Sequence, residues 1–208
     1  MPAALKYVLI AVIGYLLGNF QTGVIVSKRL GNFDVRERGS GNAGTTNVLR
    51  TMGWLPSVLT MLGDILKGAL GALFGLLLMG RTGACVGGLC AILGHNWPAL
   101  YNFRGGKGIA TSEGAILVLD PLIALCLLVC QSAVLAATHI MSVASIVSCI
   151  LNFVLTLLWH RAEIPYIAFS AIAMLLALFS HRQNIVRLVN RRENALDFGK
   201  IKDLGKKK

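Results

Sequence analysis

Long apolar runs, separated by short segments rich in charge, glycine or proline, dominate this chain. Such runs predict membrane-spanning helices, because a bilayer core about 30 Å thick is crossed by about 20 helical residues. We predict seven helices, over residues 4–26, 53–79, 84–99, 107–119, 121–138, 140–159 and 164–180. The fourth is the weakest, since Asp120-Pro121 ends it after about 13 residues, or roughly 20 Å. The pattern therefore predicts an all-α, polytopic bundle of about seven transmembrane helices.

Composition agrees with an integral membrane protein. Of 208 residues, 55% are hydrophobic and only 14% are charged, and the mean hydropathy is +0.69, values outside the usual range of a soluble domain. Seven spans and their connections use nearly the whole chain. We therefore predict a single domain over residues 1–208, with a basic tail over 182–208.

Two features inside the apolar runs predict how the helices pack. Glycines spaced four apart let helices approach closely; these pairs are Gly14 and Gly18, Gly71 and Gly75, and Gly83 and Gly87. Asp64 and Lys67 lie three residues apart within the second run. Because an isolated charge is costly in a membrane, we predict that they neutralise each other.

Positive charge predicts the orientation of the chain. If the N-terminus is outside, sixteen of the twenty Lys and Arg residues fall on the inside and only Lys6, Arg81 and Arg161 on the outside, with Lys67 inside a span. This bias predicts a cytoplasmic C-terminus.

Arg81 and Lys206 are expected to be solvated and remote from any site. The net charge of +11 points to anionic lipid or an anionic substrate, and nucleic acid is not expected as a partner.

With that orientation, three polar stretches fall on one membrane face. They read "RERGSGNAGTTNVLR" at 36–50, "GHNWPALYNFRGGKG" at 94–108 and "SHRQNIVRL" at 180–188. Each combines hydrogen-bond donors with Arg or Lys, and together they predict one shared anion site.

The first stretch has the composition of a phosphate cradle. Its glycines allow positive φ, which turns backbone N–H groups toward one point, and its hydroxyls and amides add further donors. The donors are Ser40, Asn42, Thr45, Thr46 and Asn47. Residues 39–44 match Gly-x-Gly-x-x-Gly, but no strand precedes them, so a dinucleotide site is rejected.

The second stretch resembles a Walker loop only superficially, since Tyr101 replaces the required glycine and Gly108 the required Ser or Thr. Arg104 and Lys107 remain as anion ligands at the start of a helix.

Histidines and serines near the polar stretches leave alternatives open. His95 and His181 are either interfacial or part of the site, whereas His139 and His160 have no polar neighbours and are predicted to be interfacial. Ser142 and Ser145 begin the sixth helix, where they either cap it or contact a ligand.

The segments "GSGNAGTTNVLR", "GHNWPALYNFRGGKGIAT" and "HRQNIVRL", in this order, resemble the three signature motifs of the bacterial acyl-phosphate:glycerol-3-phosphate acyltransferases. The resemblance covers about residues 39–193. It implies a seven-helix bundle in the bacterial plasma (inner) membrane, with its site at the cytoplasmic face. One departure is His139, which stands where relatives carry a stronger base.

By this resemblance, a fatty acyl group passes from acyl phosphate to the primary hydroxyl of glycerol 3-phosphate, giving lysophosphatidic acid and phosphate. The implied catalytic residues are Ser40, Lys107 and His181. The implied substrate-binding residues are Gly41, Asn42, Thr46, Asn47, Arg50, Gly105, Gly106, Ser142, Ser145, Arg182 and Asn184. Neither a metal nor a cofactor is expected. The partners are glycerol 3-phosphate, acyl phosphate and membrane lipid, with coupling to the soluble enzyme that makes acyl phosphate and to the next acyltransferase.

Two other functions are weighed against this one. Acyltransferases that use coenzyme A or carrier-protein donors commonly carry His-x4-Asp. The residues five positions after the four histidines are Leu100, Ala144, Pro165 and Val186, so none fits. The remaining alternative is a membrane transporter of phosphate or an organophosphate. A transporter should hold its polar site near the membrane midplane, between repeated halves, and the sequence has no visible repeat.

Overall fold

The computed structural model describes residues 1–204. Its helices are α1 (Ala3–Asn19), α2 (Thr22–Gly31), α3 (Thr45–Met52), α4 (Trp54–Asn96), α5 (Ile109–Leu119), α6 (Pro121–Thr138), α7 (Met141–Trp159), α8 (Ile164–Ser180), α9 (Arg182–Val189) and α10 (Phe198–Leu204). Residues 1–204 contain no strand, so the all-α prediction is confirmed. The predicted inside lysines Lys206, Lys207 and Lys208 lie outside the described residues, as does the side chain of Lys202.

The first apolar run contains a break that its pattern did not predict. Phe20 and Gln21 separate α1 from α2. The buried Gln21 amide donates to the backbone oxygens of Gly18 and His95, at 3.3 and 3.2 Å. A buried amide needs such partners, and they hold the chain in its bend. The predicted helix over 4–26 is therefore two helices, although Ala3–Gly31 together still form one candidate span.

The long helix α4 consists of two halves that fold back on each other. Its backbone leaves helical geometry at Met79 and Gly80, next to the predicted boundary. Gly71 and Gly75 of the first half face Gly87 and Gly83 of the second. A Cβ added at Gly83 would run into the backbone of Gly75, so this close contact requires glycine.

α1 and the buried core complete the bundle. A Cβ at Gly14 or Gly18 would collide with backbone in the second half of α4, which confirms the close approach predicted from the glycine pairs. The largest buried cluster lies between α4, α5, α6 and α8, around Tyr166 and Phe169. The short α5 packs along the first half of α4, where Gly68 faces Thr111 and Gly114 faces Ile65.

The length and surface of the helices are those of a multi-pass membrane protein. Among the described residues, four helical segments are long and apolar enough to cross a membrane, or five if α8 and α9, bent by 60°, form one span. Outward-facing side chains include Leu77, Leu122 and Val129, which are 76%, 58% and 61% exposed. Such apolar surface is stable against lipid and not against water.

Asp64 and Lys67 form the ion pair that their spacing predicted. Lys67 Nζ lies 2.8 Å from an Asp64 carboxylate oxygen and also donates to the backbone oxygen of Phe20. Both side chains are almost fully buried. Direct pairing keeps the two charges within the bundle.

The prediction that His160 has no polar neighbours is wrong. Its two ring nitrogens lie 2.6 Å from Asp120 and 2.8 Å from Glu163. Arg81, predicted to be solvated, pairs with Glu163 at 2.7 Å and lies over the ring of Tyr166. The cluster ties the α5–α6 junction to the α7–α8 loop, two segments far apart in sequence.

Candidate functional site

The three polar stretches meet around one pocket of about 1000 Å³. All of the site residues predicted from the sequence line it: Ser40, Gly41, Asn42, Thr46, Asn47, Arg50, Gly105, Gly106, Lys107, Ser142, Ser145, His181, Arg182 and Asn184. The residues predicted to share a site therefore lie on one continuous surface. The hydrogen bonds and ion pairs of these side chains differ from residue to residue.

The first stretch forms a loop built around Asn47. Gly39 and Gly41 have φ of 60° and 73°, the left-handed region that glycine adopts without strain. The Asn47 side chain accepts from the Ser40 backbone N–H at 2.8 Å. Its amide nitrogen donates to the backbone oxygens of Val35, Arg38 and Asn42. Since both ends of its amide are used in this way, Asn47 shapes the loop.

An arginine that the sequence analysis did not single out joins the first loop to the second. Arg36 makes two hydrogen bonds from its side chain to Asp34, and its guanidinium also donates to the backbone oxygens of Tyr101 and Arg104. The Arg36 hydrogen bond holds the pKa of Asp34 below its usual value, despite partial burial. The only sequence signal was an acid and an arginine two residues apart in the same loop.

The second loop rests on His95. The backbone N–H of Gly106 donates to the His95 oxygen at 3.0 Å, and a Cβ at Gly105 or Gly106 would collide with His95. His95 is 3% exposed, and its Nδ1 lies 3.6 Å from Asp64. His95 thus belongs to the site, as a support beneath the two glycines, and this resolves one of the open alternatives.

Lys107 reaches from the second loop to Asn184 of α9. Its Nζ donates to the side-chain oxygen of Asn184 at 2.5 Å. Burial lowers the pKa of Lys107 to about 8, and nearby Arg187 and Arg50 act in the same direction while Glu193 opposes them. A cation with a neutral partner in a partly dehydrated pocket is suited to hold an anion.

His181 lies where α8 gives way to α9. Its Nδ1 is 2.8 Å from the backbone oxygen of Ala177, a contact that requires a proton on Nδ1 and leaves Nε2 as an acceptor in the neutral ring. Arg182, the next residue, donates to the backbone oxygen of Phe179 and lies over its ring. The bend between α8 and α9 brings both residues to the pocket.

Glu193 is the main site residue that the sequence analysis missed. Its carboxylate accepts from Asn184 and Arg187 at 2.7 Å each and from Ser142 at 3.1 Å. Its side chain is 3% exposed; burial opposes its charge, but these hydrogen bonds hold the pKa of Glu193 below its usual value. Glu193 orients two of the predicted substrate ligands. No local pattern marks it, because its partners lie on other elements.

The segment that follows Glu193 crosses the first loop. Arg50 donates to the backbone oxygen of Asn194 at 2.9 Å, and burial lowers the pKa of its guanidinium. Leu196 and Ile201 pack against Leu49 of α3. The tail thereby fixes the position of α3 and Arg50.

One side of the pocket is apolar and faces outward. Leu117 of α5 and Leu125 and Leu128 of α6 line the pocket, yet they are 48%, 55% and 59% exposed. In a membrane these side chains meet lipid. The pocket therefore joins a polar floor, which carries Arg50, Lys107 and Arg182, to a side opening lined by these three leucines.

The charges of the pocket favour an anionic ligand. The basic lining residues are Arg50, Arg104, Lys107, Arg182 and Arg187, and the acidic ones are Asp64, Glu113 and Glu193. Asp64 is neutralised by Lys67 and Glu193 by Arg187. Within the part of the chain that the structure describes, no cluster of three His, Cys, Asp or Glu side chains is arranged to hold a metal ion.

Comparisons with known proteins bear on this site. The family model described as "Glycerol-3-phosphate acyltransferase" matches residues 8–191. A glycerol-3-phosphate acyltransferase of Thermoanaerobacter sp. (strain X514) is 42% identical over 191 residues, which cover 91% of this chain and 95% of that protein. Its counterpart from Clostridioides difficile (strain 630) is 42% identical over 199 residues, covering 92% and 96%.

The fold is also similar to solved structures. The crystal structure of an integral membrane glycerol 3-phosphate acyltransferase, in its glycerol 3-phosphate form, superimposes with a TM-score of 0.86 at 32% identity, covering 92% of this chain and 96% of that one. The lysophosphatidic acid form gives 0.85 at 30% identity, covering 94% and 97%.

Proposed function

Because this chain belongs to the glycerol-3-phosphate acyltransferase family and is an acyltransferase, we propose that its pocket transfers a fatty acyl group from acyl phosphate to the primary hydroxyl of glycerol 3-phosphate. The products are lysophosphatidic acid and inorganic phosphate, and the reaction is the first step of phospholipid synthesis. The glycerol 3-phosphate and lysophosphatidic acid forms of the similar crystal structure support this substrate and this product. No feature of the pocket favours the transporter alternative.

The observation that carries the proposal is the union of two unlike surfaces in one pocket. The polar floor suits the phosphate of a water-soluble substrate, and the side opening along Leu117, Leu125 and Leu128 suits an acyl chain arriving from lipid. An acyl phosphate has both an anionic head and an apolar chain. It can therefore lie across both surfaces and meet glycerol 3-phosphate at their border.

Positive side chains that are not held in ion pairs bring the two anionic substrates together. Lys107 and Arg50 donate to neutral oxygens of Asn184 and Asn194, and within the described residues neither forms an ion pair. Two phosphates held a few ångströms apart repel each other strongly in a partly dehydrated site. We assign Lys107 and Arg50 to offset that repulsion, with Arg182 and the N–H groups of the glycine loops.

The chemistry requires positioning more than a protein nucleophile. The glycerol hydroxyl attacks the acyl carbonyl carbon, a new C–O ester bond forms, and the bond from that carbon to the phosphate oxygen breaks. Phosphate leaves readily, since its second pKa is roughly 6 in a phosphoester, and it takes up the hydroxyl proton. Ser40, Lys107 and His181 are the residues we propose at the reacting groups, where positioning and charge stabilisation supply several kcal/mol.

We further propose that the chain forms seven spans in the bacterial plasma membrane, with its N-terminus outside and its C-terminus and pocket on the cytoplasmic side. The supporting observation is that the three polar stretches around the pocket hold Arg36, Arg50, Arg104, Lys107 and Arg182. Basic residues favour the cytoplasmic side, where both glycerol 3-phosphate and the enzymes before and after this step would be found.

The test uses the purified protein in detergent or bilayer with glycerol 3-phosphate and palmitoyl phosphate. We expect lysophosphatidic acid and inorganic phosphate to form in equal amounts without metal, nucleotide or coenzyme A. Palmitoyl-CoA and palmitoyl-carrier protein should be poorer donors by orders of magnitude, because a thioester brings no phosphate at the reacting carbon. A Ser40→Ala variant, purified identically, excludes contaminating acyltransferases. Equal or faster product formation from palmitoyl-CoA would overturn the choice of donor.

A further inference from the structure

An acidic side chain lies in the wall of the pocket and has no part in the chemistry proposed above. Glu113 of α5 lines the pocket on the same helix face as Ile109 and Leu117, which are one turn away on either side. Ionisable groups within membrane helices are costly and commonly mark a substrate path. Glu113 is therefore a candidate for a role in recognition.

The protein satisfies Glu113 only weakly. Its one hydrogen bond is from the Ser148 hydroxyl of α7, at 3.5 Å, and within residues 1–204 it forms no ion pair. Ser148 itself is 2% exposed, so it can serve only a group already inside the bundle. A carboxyl group in this state has hydrogen-bonding capacity left for a ligand.

The position of Glu113 along the pocket indicates which part of a ligand lies beside it. Glu113 lies about 6 Å along the helix axis from Ile109, at the polar end of α5, and about 6 Å from the apolar Leu117. Helical side chains lean toward the N-terminus of their helix, which brings the carboxyl group closer to the polar floor. An acyl chain that enters beside Leu117 and ends at the floor would pass Glu113 within its first few carbons from the carbonyl.

A plain alkyl chain at this point would cover a carboxyl group without giving it a partner, and that is unfavourable. A hydroxyl on the chain would both donate to Glu113 and accept from Ser148. We propose that Glu113 and Ser148 form a polar subsite that selects acyl phosphates carrying a hydroxyl group near the carbonyl end of the chain. The inference rests on the proposed function and adds a donor preference to it.

The experiment compares palmitoyl phosphate with 3-hydroxypalmitoyl phosphate and measures the ratio of their kcat/KM values. We expect this ratio to be about tenfold higher in the wild type than in Glu113→Leu, the loss typical of one buried hydrogen bond to such a group. Glu113→Gln, which keeps a polar amide, should retain part of the preference, and Ser148→Ala should lower it a few-fold. Replacement by leucine removes a polar group from a membrane helix, so this variant is expected to fold.

Two controls make the result specific. Gln131, another polar residue of the lining, lies on α6, and Gln131→Leu should leave the ratio at its wild-type value. A hydroxyl at the far end of the chain, in 16-hydroxypalmitoyl phosphate, should give no dependence on Glu113. A ratio that is the same within twofold in wild type and Glu113→Leu overturns the subsite, whereas failure of the wild type to use any acyl phosphate would instead overturn the proposed function.

Discussion

The basic side chains in and around the pocket fall into two groups, according to whether their partners are acidic or neutral. Arg36 and Arg187 are held by Asp34 and Glu193 and fix the shape of the loops. Lys107 and Arg50 have neutral partners, so their charge remains available to an anion. Removing a member of the second group should therefore affect catalysis more than folding.

We expect Lys107→Ala and Arg50→Ala each to lower kcat/KM for acyl transfer by about tenfold to a thousandfold, since each removes a charge-assisted donor from a partly dehydrated site. Initial rates with palmitoyl phosphate measure the loss, and thermal unfolding in detergent checks the fold. Arg29→Ala is the control, because Arg29 is exposed and, in the described part of the chain, forms no ion pair. Arg81 is unsuitable as a control, because it forms an ion pair with Glu163. Comparable losses in all three variants would mean that net charge alone matters.

The lowered pKa of Lys107, about 8, predicts the alkaline limb of the pH profile. Lys107 is charged below that pH and loses its proton above it, so kcat/KM should fall as pH rises through about 8. Lys107→Arg keeps its charge to a much higher pH and should move this limb upward, whatever its maximal rate. The measurement is kcat/KM from pH 6 to 10, corrected for uncatalysed hydrolysis of the donor. An identical limb in both proteins would show that another group titrates.

At the level of elements, the hairpin of α4 positions the second loop. Its second half ends at His95 and Asn96, which carry Gly105 and Gly106 on one side and contact Ser180 of α8 on the other. The first half contributes Asp64 beneath His95. A shift between the two halves would therefore move the floor of the pocket.

Gly83→Ala tests that hairpin. The added Cβ would collide with the backbone of Gly75, and overpacking of this kind costs about 1 to 3 kcal/mol. We expect a thermal midpoint several degrees lower in detergent, together with a reduced rate. Leu77→Ala changes a residue of the same hairpin that is 76% exposed, and it should leave the midpoint nearly unchanged. Equal midpoints in the two variants would argue against a tight contact between the halves.

At the scale of the whole molecule, polar residues gather at two separate places. One is the basic pocket with its three polar stretches. The other is the cluster of Arg81, Asp120, His160 and Glu163, in which each carboxylate contacts His160 and Glu163 also pairs with Arg81. The excess of positive charge at the pocket predicts which face is cytoplasmic.

Cysteine labelling tests this orientation in a variant that lacks the five native cysteines. Exposed positions in or next to the three polar stretches, Arg38, Phe103 and Arg191, are suitable, and Arg161 serves for the opposite face. Gly106 is not suitable as a labelling position, because any side chain there would collide with His95. The first three should react with an impermeant reagent only from the cytoplasmic side, and Arg161→Cys only from the other. Labelling of any pocket loop from outside alone would contradict the shared cytoplasmic site.

The sequence alone determined the helical runs, the boundary near Met79 and Gly80, the close contacts of the glycine pairs and the three stretches that form the pocket. These features are local, because helix period, chain length and residue type act within a few turns, and the excess of charge on a loop needs no knowledge of its neighbours.

Only the tertiary structure decided which polar groups are already paired. The bond from Lys107 to Asn184, that from Ser142 to Glu193 and the contact of Asp120 with His160 each join residues far apart in the chain. The side-chain amide of Asn47 forms hydrogen bonds within its own loop, while Glu113 lines the pocket with one weak partner. The energy of a buried polar group depends on whether a partner lies within hydrogen-bonding distance, and that distance is set by how the helices pack.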